Sequence, residues 1–362
     1  MSVALPKINI IFKQLATSLV ARSARGIAIL IARDSHGVEG GSYYKFTDST
    51  QIVSSEWDAA NVAAITDALR FGALRVGVVK LQKAGTLADG LSLMQRNEKT
   101  GWVTVIGGES ADWTALVSWI KARENEQKSW KAVVYKATSP DCMHVVNFYN
   151  EKVTFADDRG EQAGSAYTPS LVGILAACNV EQGATNYLCS NLTHVEEVDD
   201  GDTAVGKGQF ILLNDEDGDV RIGVDVDSLQ TTNGSTATED MKYIETVEAM
   251  DMIRDDITST FRSEYLGKYR NKKANQMLLI AAINYYFNQL AQEDILDEDH
   301  DNTAAIDVEA QRAAWVGSGK SEAADWDDAT VMANPYKRNV YLTGDIKILG
   351  SMENLAFVVA LA

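Results

Sequence analysis

The residue types that most invite a chemical reading are Gly319, Lys320 and Ser321, in the stretch WVGSGKSE. A glycine turn followed by Lys and Ser can wrap backbone N–H groups and an ammonium around a phosphate. That pattern also needs a glycine at position 314, which is Ala314, and a buried strand before the loop. The preceding AAIDVEAQRAAW reads as a helix, so a surface turn is expected instead. NDEDGD has the look of a calcium loop, but with Gly218 at the sixth position the first and twelfth ligands fall on Leu213 and Val224. The acidic run DEDHDN (297–302) suits a solvated linker. GGES lacks the G-x-S-x-G of a nucleophile elbow, and Glu109 or Ser110 is expected to start the next helix. His36, His144, His194 and His300 share no i, i+4 spacing, and Cys142, Cys178 and Cys189 have no metal-like spacing. No catalytic, cofactor or metal site is predicted.

The elements around these residues alternate. GIAILIA reads as a buried strand, and WDAANVAAITDALRFG as a helix with Val62, Ile65 and Leu69 on one face. LRVGVVKL, WVTVIGG and KAVVYKA are further strands, and ADWTALVSWIKARENEQK is a helix whose stripe is Trp113, Leu116, Val117 and Ile120. HVVNFYN and KVTFA predict a hairpin at the sheet edge, and PSLVGILAAC a short buried helix. Strands separated by helices of this length predict an α/β layer on a mainly parallel sheet. After a surface connection at 196–208, QFILLNDEDGDVRIGVDV predicts a hairpin turning at Asp217 and Gly218. Two long helices follow: one carries Ile244, Val247, Ile253, Ile257 and Phe261, the other Leu279, Ile283, Phe287 and Leu290. Thr236, Thr238 or Asp240 would cap the first of them.

With 362 residues, two or three domains are expected. A net charge of −18 argues against nucleic acid and anionic membranes as partners. No apolar run approaches the ~18 residues of a membrane span, and no secretory signal is read at the start. Three cysteines, an odd number, fit a reducing cytoplasmic origin. The one basic concentration is Lys268, Arg270, Lys272 and Lys273, between the two long helices.

Both termini read as strands. Ile8, Ile10 and Phe12 alternate in KINIIFK, and Phe357, Val359 and Leu361 alternate opposite Val358 and Ala360 in NLAFVVALA. An apolar strand of this kind either forms an edge of its own domain or joins the sheet of another chain.

The segment MIRDDI…F…YLGKY.N, the helix N…LL..AIN.YF..L and the late G.IK…SMENL.F.V.L resemble, in that order and spacing, the tail-sheath proteins of contractile phages and phage-like bacteriocins. LVGILAACNVEQGATNYLCSNLTHVEEV adds to the likeness, and LPKINIIFK with RGIAILIARD is a looser match. The resemblance implies a structural protein: a helical homopolymer around an inner tube that contracts and drives the tube through an envelope. Copies are then linked by terminal strands donated to neighbouring sheets, favouring the intermolecular reading of Ile8, Ile10, Phe12, Phe357, Val359 and Leu361. It further implies baseplate and tail-terminator partners, assembly in the bacterial cytoplasm, and release as part of a tail. The fold expected is α/β, with an extended arm at 1–22, a layered α/β domain at 23–208, a C-terminal α+β core at 209–345 and a strand arm at 346–362. The basic cluster is a candidate contact with another subunit or with the tube. The rival readings are a nucleotide-using α/β enzyme, for which the first strand lacks G-x-G-x-x-G, and a closed ring that exchanges terminal strands.

Overall fold

The computed structural model describes residues 20, 26–178, 180 and 182–359. Two compact units are present: residues 256–347, with Val20, form one, and residues from 26 to 255 together with the segment from Ile348 form the other. The sequence placed the change of domain at 208/209. The chain instead stays with the first layer up to 255, because residues 209–210 supply a strand of its main sheet.

The larger unit begins with β1 (Ile27–Asp34), β2 (Ser42–Phe46), α1 (Ala59–Arg70), β3 (Arg75–Gln82), α2 (Leu87–Asn97), β4 (Gly101–Val105), α3 (Ser110–Asn125), β5 (Trp130–Tyr135) and β6 (Val145–Phe148). It continues through β7 (Lys152–Phe155), β8 (Glu161–Ala163), α4 (Thr168–Ala177), β9 (Leu192–Val195), α5 (Gly201–Gly206), β10 (Gln209–Phe210), β11 (Leu212–Asn214), β12 (Val220–Ile222) and most of α6 (Ile244–Thr260). Seven strands form one sheet in the order β10-β6-β5-β4-β1-β3-β2, parallel except for β2.

Why β1 is apolar throughout is plain from its neighbours. Ala28, Leu30 and Ala32 face a core shared with Ile65 and Ala68 of α1 and Leu171 and Ile174 of α4. Ile27, Ile29 and Ile31 face the opposite core, with Leu91 and Met94 of α2 and Leu116 and Ile120 of α3. A central strand covered on both faces has no polar side to show. Helix α3 starts as the sequence suggested: Glu109 and Asp112 form a reciprocal capping box. Strand β2 and helix α2 were not anticipated. Gly90 interrupts the helical pattern of α2, yet a Cβ there would stand 3.0 Å from Ile31 Cγ2, so the glycine serves close packing.

The predicted hairpin of HVVNFYN with KVTFA is not formed. Strand β6 runs parallel to β5 and β10, while β7 belongs to a separate three-stranded sheet, β8-β7-β9. Asn150, fully buried between them, makes the break. Its amide donates to the carbonyls of Glu196 (3.0 Å) and Leu212 (2.9 Å), and its Oδ1 accepts from the Leu212 N–H (2.8 Å). The hairpin β11–β12 forms as expected, with Gly218 at φ +86°.

The smaller unit holds the end of α6, a π-helical turn at Phe261–Tyr265, α7 (Lys273–Gln292), β13 (Thr303–Ile306), α8 (Val308–Gly317), α9 (Asp328–Ala333) and β14 (Leu342–Asp345). Leu279, Ile283, Phe287 and Leu290 of α7 are buried as their spacing predicts. Strands β13 and β14 pair antiparallel as a two-stranded sheet.

Helix α4 is buried along almost its whole length and crosses α1 closely at Gly173, where a Cβ would lie 2.4 Å from the Ala68 carbonyl oxygen. Backbone cannot yield there, so Gly173→Val should destabilise the protein by about 2 kcal/mol or more. A lowered midpoint in urea unfolding checks this; an unchanged midpoint would contradict the packing described.

Candidate functional site

The residues with apparent catalytic chemistry are engaged within the fold. Lys320 follows helix α8, not a strand, and its ammonium lies 5.2 Å from the Trp315 ring and 4.7 Å from that of Trp326. Asp215 organises the acidic turn by accepting from the N–H groups of Asp217 (3.0 Å) and Asp219 (2.8 Å) and from Arg221 Nε (2.6 Å). Burial raises the thiols of Cys178 and Cys189 to about 12, and that of Cys142 higher, so none offers a thiolate near neutrality.

Two groups of metal-type side chains come together among the described residues. In one, Asp34 already accepts from Asn61 (2.7 Å), the Asp58 N–H (2.8 Å) and the His36 N–H (2.8 Å), with His36 Nδ1 at 3.1 Å. In the other, Glu124 Oε2 lies 2.6 Å from His144 Nδ1 and 3.1 Å from Cys142 Sγ. The second belongs to a buried charged seam that the sequence did not reveal. His144 Nε2 reaches Asp251 Oδ1 at 3.2 Å, Lys131 Nζ lies 2.7 Å from Asp251 and 3.2 Å from Glu248, and Trp102 Nε1 donates to Glu248 at 2.9 Å. The seam fastens α6 to β4 and β5. Burial alone would push the His144 imidazolium to lose its proton, but Asp251 and Glu124 outweigh it and raise the group to about 9.

The surface that the sequence singled out is of another kind. Residues 351–359 form no strand, and their apolar side chains lie open: Leu355 is 91% exposed, Phe357 79%, Val358 92% and Val359 63%. Phe357 and Val358 are neighbours in the chain, and neither is covered by the described residues. Leu361, Ile8, Ile10 and Phe12 lie outside the described residues.

The basic cluster surrounds the turn between α6 and α7. Lys268 has a long 3.7 Å contact with Glu264, whereas Arg270, Lys272 and Lys273 have no ion pair among the described residues. Lys272 is the N-cap of α7 and Lys273 its first residue. Cations at a helix N-terminus oppose the macrodipole by about 0.3–1 kcal/mol each, so local stability does not explain their placement. Arg270 and Arg338 also line a cavity of about 100 Å³ with Tyr265, Tyr269 and Gln276.

A raised histidine pKa stabilises the fold fully below its unfolded value of ~6.5, and that contribution disappears as pH rises through about 9. Stability should therefore fall between those limits by roughly 3 kcal/mol on account of His144. His144→Gln should be less stable at pH 6.5 and show a flatter profile in denaturant titrations from pH 6 to 9.5. An equally steep decline in the variant would remove His144 as its source.

Comparison with known proteins adds to this geometry. Residues 236–362 match the phage tail sheath C-terminal domain. Over 362 residues the chain is 26% identical to a tail sheath protein of Clostridium phage phiCD119, covering 97% of this chain and 98% of that one. The helical sheath of the anti-feeding prophage in its contracted state is 14% identical with a TM-score of 0.69, covering 100% of this chain and 99% of that one. A sheath tail protein from Desulfitobacterium hafniense gives 14% identity and a TM-score of 0.68 over 83% of this chain and 94% of that one. At these identities the solved structures establish a shared fold.

Proposed function

We infer that this chain, whose residues 236–362 carry the phage tail sheath C-terminal domain, is a structural subunit of a contractile tail sheath and not an enzyme. Copies polymerise helically around an inner tube, and the sleeve's contraction drives the tube through a target envelope. The observation that carries this reading is the near end-to-end likeness to a tail sheath protein. The uncovered apolar segment at 351–359 supports it from the structure.

An extended segment with apolar residues on both faces gains main-chain hydrogen bonds and buries side chains when it adds to the edge of another sheet. Full burial contributes about 1.5–3 kcal/mol for a side chain such as Phe357 or Val359. The two-stranded sheet β13–β14 has two outer edges with no strand on them among the described residues, and it is the acceptor we assign. Donation from one copy to the next is head-to-tail, so a rotation that does not close yields a helix and not a ring.

No nucleotide enters this scheme: the energy of contraction comes from new contacts between folded bodies, released from an extended state held behind a kinetic barrier. The tube, the baseplate and a tail terminator are the further partners, met after assembly in the bacterial cytoplasm. Lys268, Arg270, Lys272 and Lys273 are assigned to contacts with acidic surfaces of a neighbouring copy or of the tube.

Two measurements test these assignments. Removal of residues 356–362 should leave a folded chain, by circular dichroism and unfolding, that forms no sleeves in negative-stain electron microscopy. Normal sleeves from the truncated protein would refute strand donation. Reversal of charge in Lys272→Glu with Lys273→Glu should block sleeve formation at least tenfold in yield, and unimpaired assembly would free the cluster from any role in it.

A further inference from the structure

The first anchored residue of the exposed segment is Ser351. Its N–H donates to Glu245 Oε1 at 2.8 Å and its hydroxyl to Glu245 Oε2 at 2.5 Å. Two residues on, Glu353 Oε1 accepts from the Thr185 hydroxyl at 2.6 Å. Beside these groups lies Asp225, only 2% exposed. Its Oδ2 accepts from the Ala184 N–H at 3.1 Å, while its Oδ1 has no partner among the described residues. Gly183 leaves room for the convergence. A Cβ there would stand 2.7 Å from Glu245 Oε2, 3.1 Å from Asp225 Oδ2 and 3.3 Å from Ser351 Oγ.

Charge is what sets this cluster apart. In the seam around Asp251, every buried carboxylate faces Lys131, His144 or Arg254. Around Asp225 the charges that act most strongly are Glu245 of α6 and Glu353 of the terminal segment, with Asp227 and the Cys178 thiol also within its electrostatic reach. The Ala184 and Glu245 N–H groups also face this carboxylate, but the charges nearest to it are acidic, and such burial is costly unless something positive joins it.

We propose that Asp225, Glu245 and Ser351, with Glu353 at the rim, bind a hard divalent cation of the calcium type that fastens the root of the 351–359 segment to the body of its own chain. Calcium takes six to eight oxygens in an adaptable arrangement, from carboxylates, hydroxyls and water. The half-buried Glu245 and exposed Glu353 leave an approach from solvent, and the buried Asp225 supplies the inner ligand with Oδ2, the oxygen that converges with Glu245 Oε2 and Ser351 Oγ, its Oδ1 lacking any hydrogen-bond partner among the described residues. The cation neutralises the cluster and joins a carboxylate of the body to a hydroxyl of the segment. The site lies within one chain, so its cation binding can be measured without assembled sleeves and does not rest on the proposed function.

The test is calorimetric titration of the chelator-stripped, full-length protein with calcium chloride at pH 7.5, beside Asp225→Asn and Glu245→Gln. Amide hydrogen exchange is read over residues 348–355 in the same samples. The expected result is one calcium ion per chain, bound at least tenfold more weakly by each variant, with slower exchange at residues 351–353 when calcium is present. Calcium binding that neither substitution weakens would assign it to the general acidic surface and overturn the proposal. So would exchange over 348–355 that follows pH in the unsubstituted protein and ignores calcium, because a proton would then be the neutralising charge. Glu245 is only half-buried, so Glu245→Gln keeps the test decisive if Asp225→Asn fails to fold.

Discussion

An apolar chain segment in water must find cover, and in this protein that requirement governs how the rest is read. Leu355, Phe357, Val358 and Val359 all stand open to solvent, and because strand side chains alternate, Val358 would face away from Leu355, Phe357 and Val359 in an extended chain, so one covering surface could not bury all four. Insertion as a strand between or beside others covers both faces and pairs the backbone as well. The cost of leaving the segment free scales with exposed apolar area, about 25 cal/mol per Å². Under the strand donation proposed above, the driving force for association would lie in one short stretch, and the body would need only to present a strand edge.

That body is built to stay rigid under such linkage. Its seven-stranded sheet is covered by helices on both faces, and one buried charged layer is the seam of Lys131, His144, Glu124, Glu248 and Asp251. Such a network adds little net stability over apolar packing, but removing one member leaves the others buried and unpaired. It favours one seating of α6 on β4 and β5 over any slipped alternative. Rotation and sliding of subunits, as the proposed contraction requires, would need motion confined to weakly anchored segments, and the exposed residues at 351–359 fit that condition.

Much of this fold was legible in the sequence, for a physical reason. GIAILIA and LRVGVVKL are apolar on both faces, which only a covered parallel strand tolerates, and the stripe from Trp113 to Ile120 could only be a helix side. What failed to show was whatever depends on a partner far along the chain. Asn150 looks like a turn residue in FYNEK, and only its bonds to Glu196 and Leu212 make it the switch from one sheet to another. Lys131 and Asp251 read as surface charges until the fold brings positions 120 residues apart within 2.7 Å. Both compositional rules assume that charge means solvent, and buried pairs are where they break. The exposed apolar terminus was legible for the converse reason: its oddity needs no partner to be seen.

The anchor at Ser351 bears on how a donated strand could keep its register. Shifting a strand by one residue exchanges its two faces, so Phe357 and Val359 would trade places with Val358. In a strand with apolar residues on both sides, side-chain pattern alone distinguishes those registers poorly. A fixed root supplies what the pattern lacks. From Ser351 to Val359 an extended chain spans about 26 Å at ~3.3 Å per residue, and with its start pinned by two hydrogen bonds to Glu245, each later residue arrives at a set distance from the body. Loosening the root would not remove the apolar drive to associate; it would let that drive be satisfied in more than one register. If the proposed strand donation holds, every joint of a helical polymer would repeat the same error, so register would be a condition of regular assembly, and the hydrogen-bonded root is the place that would set it.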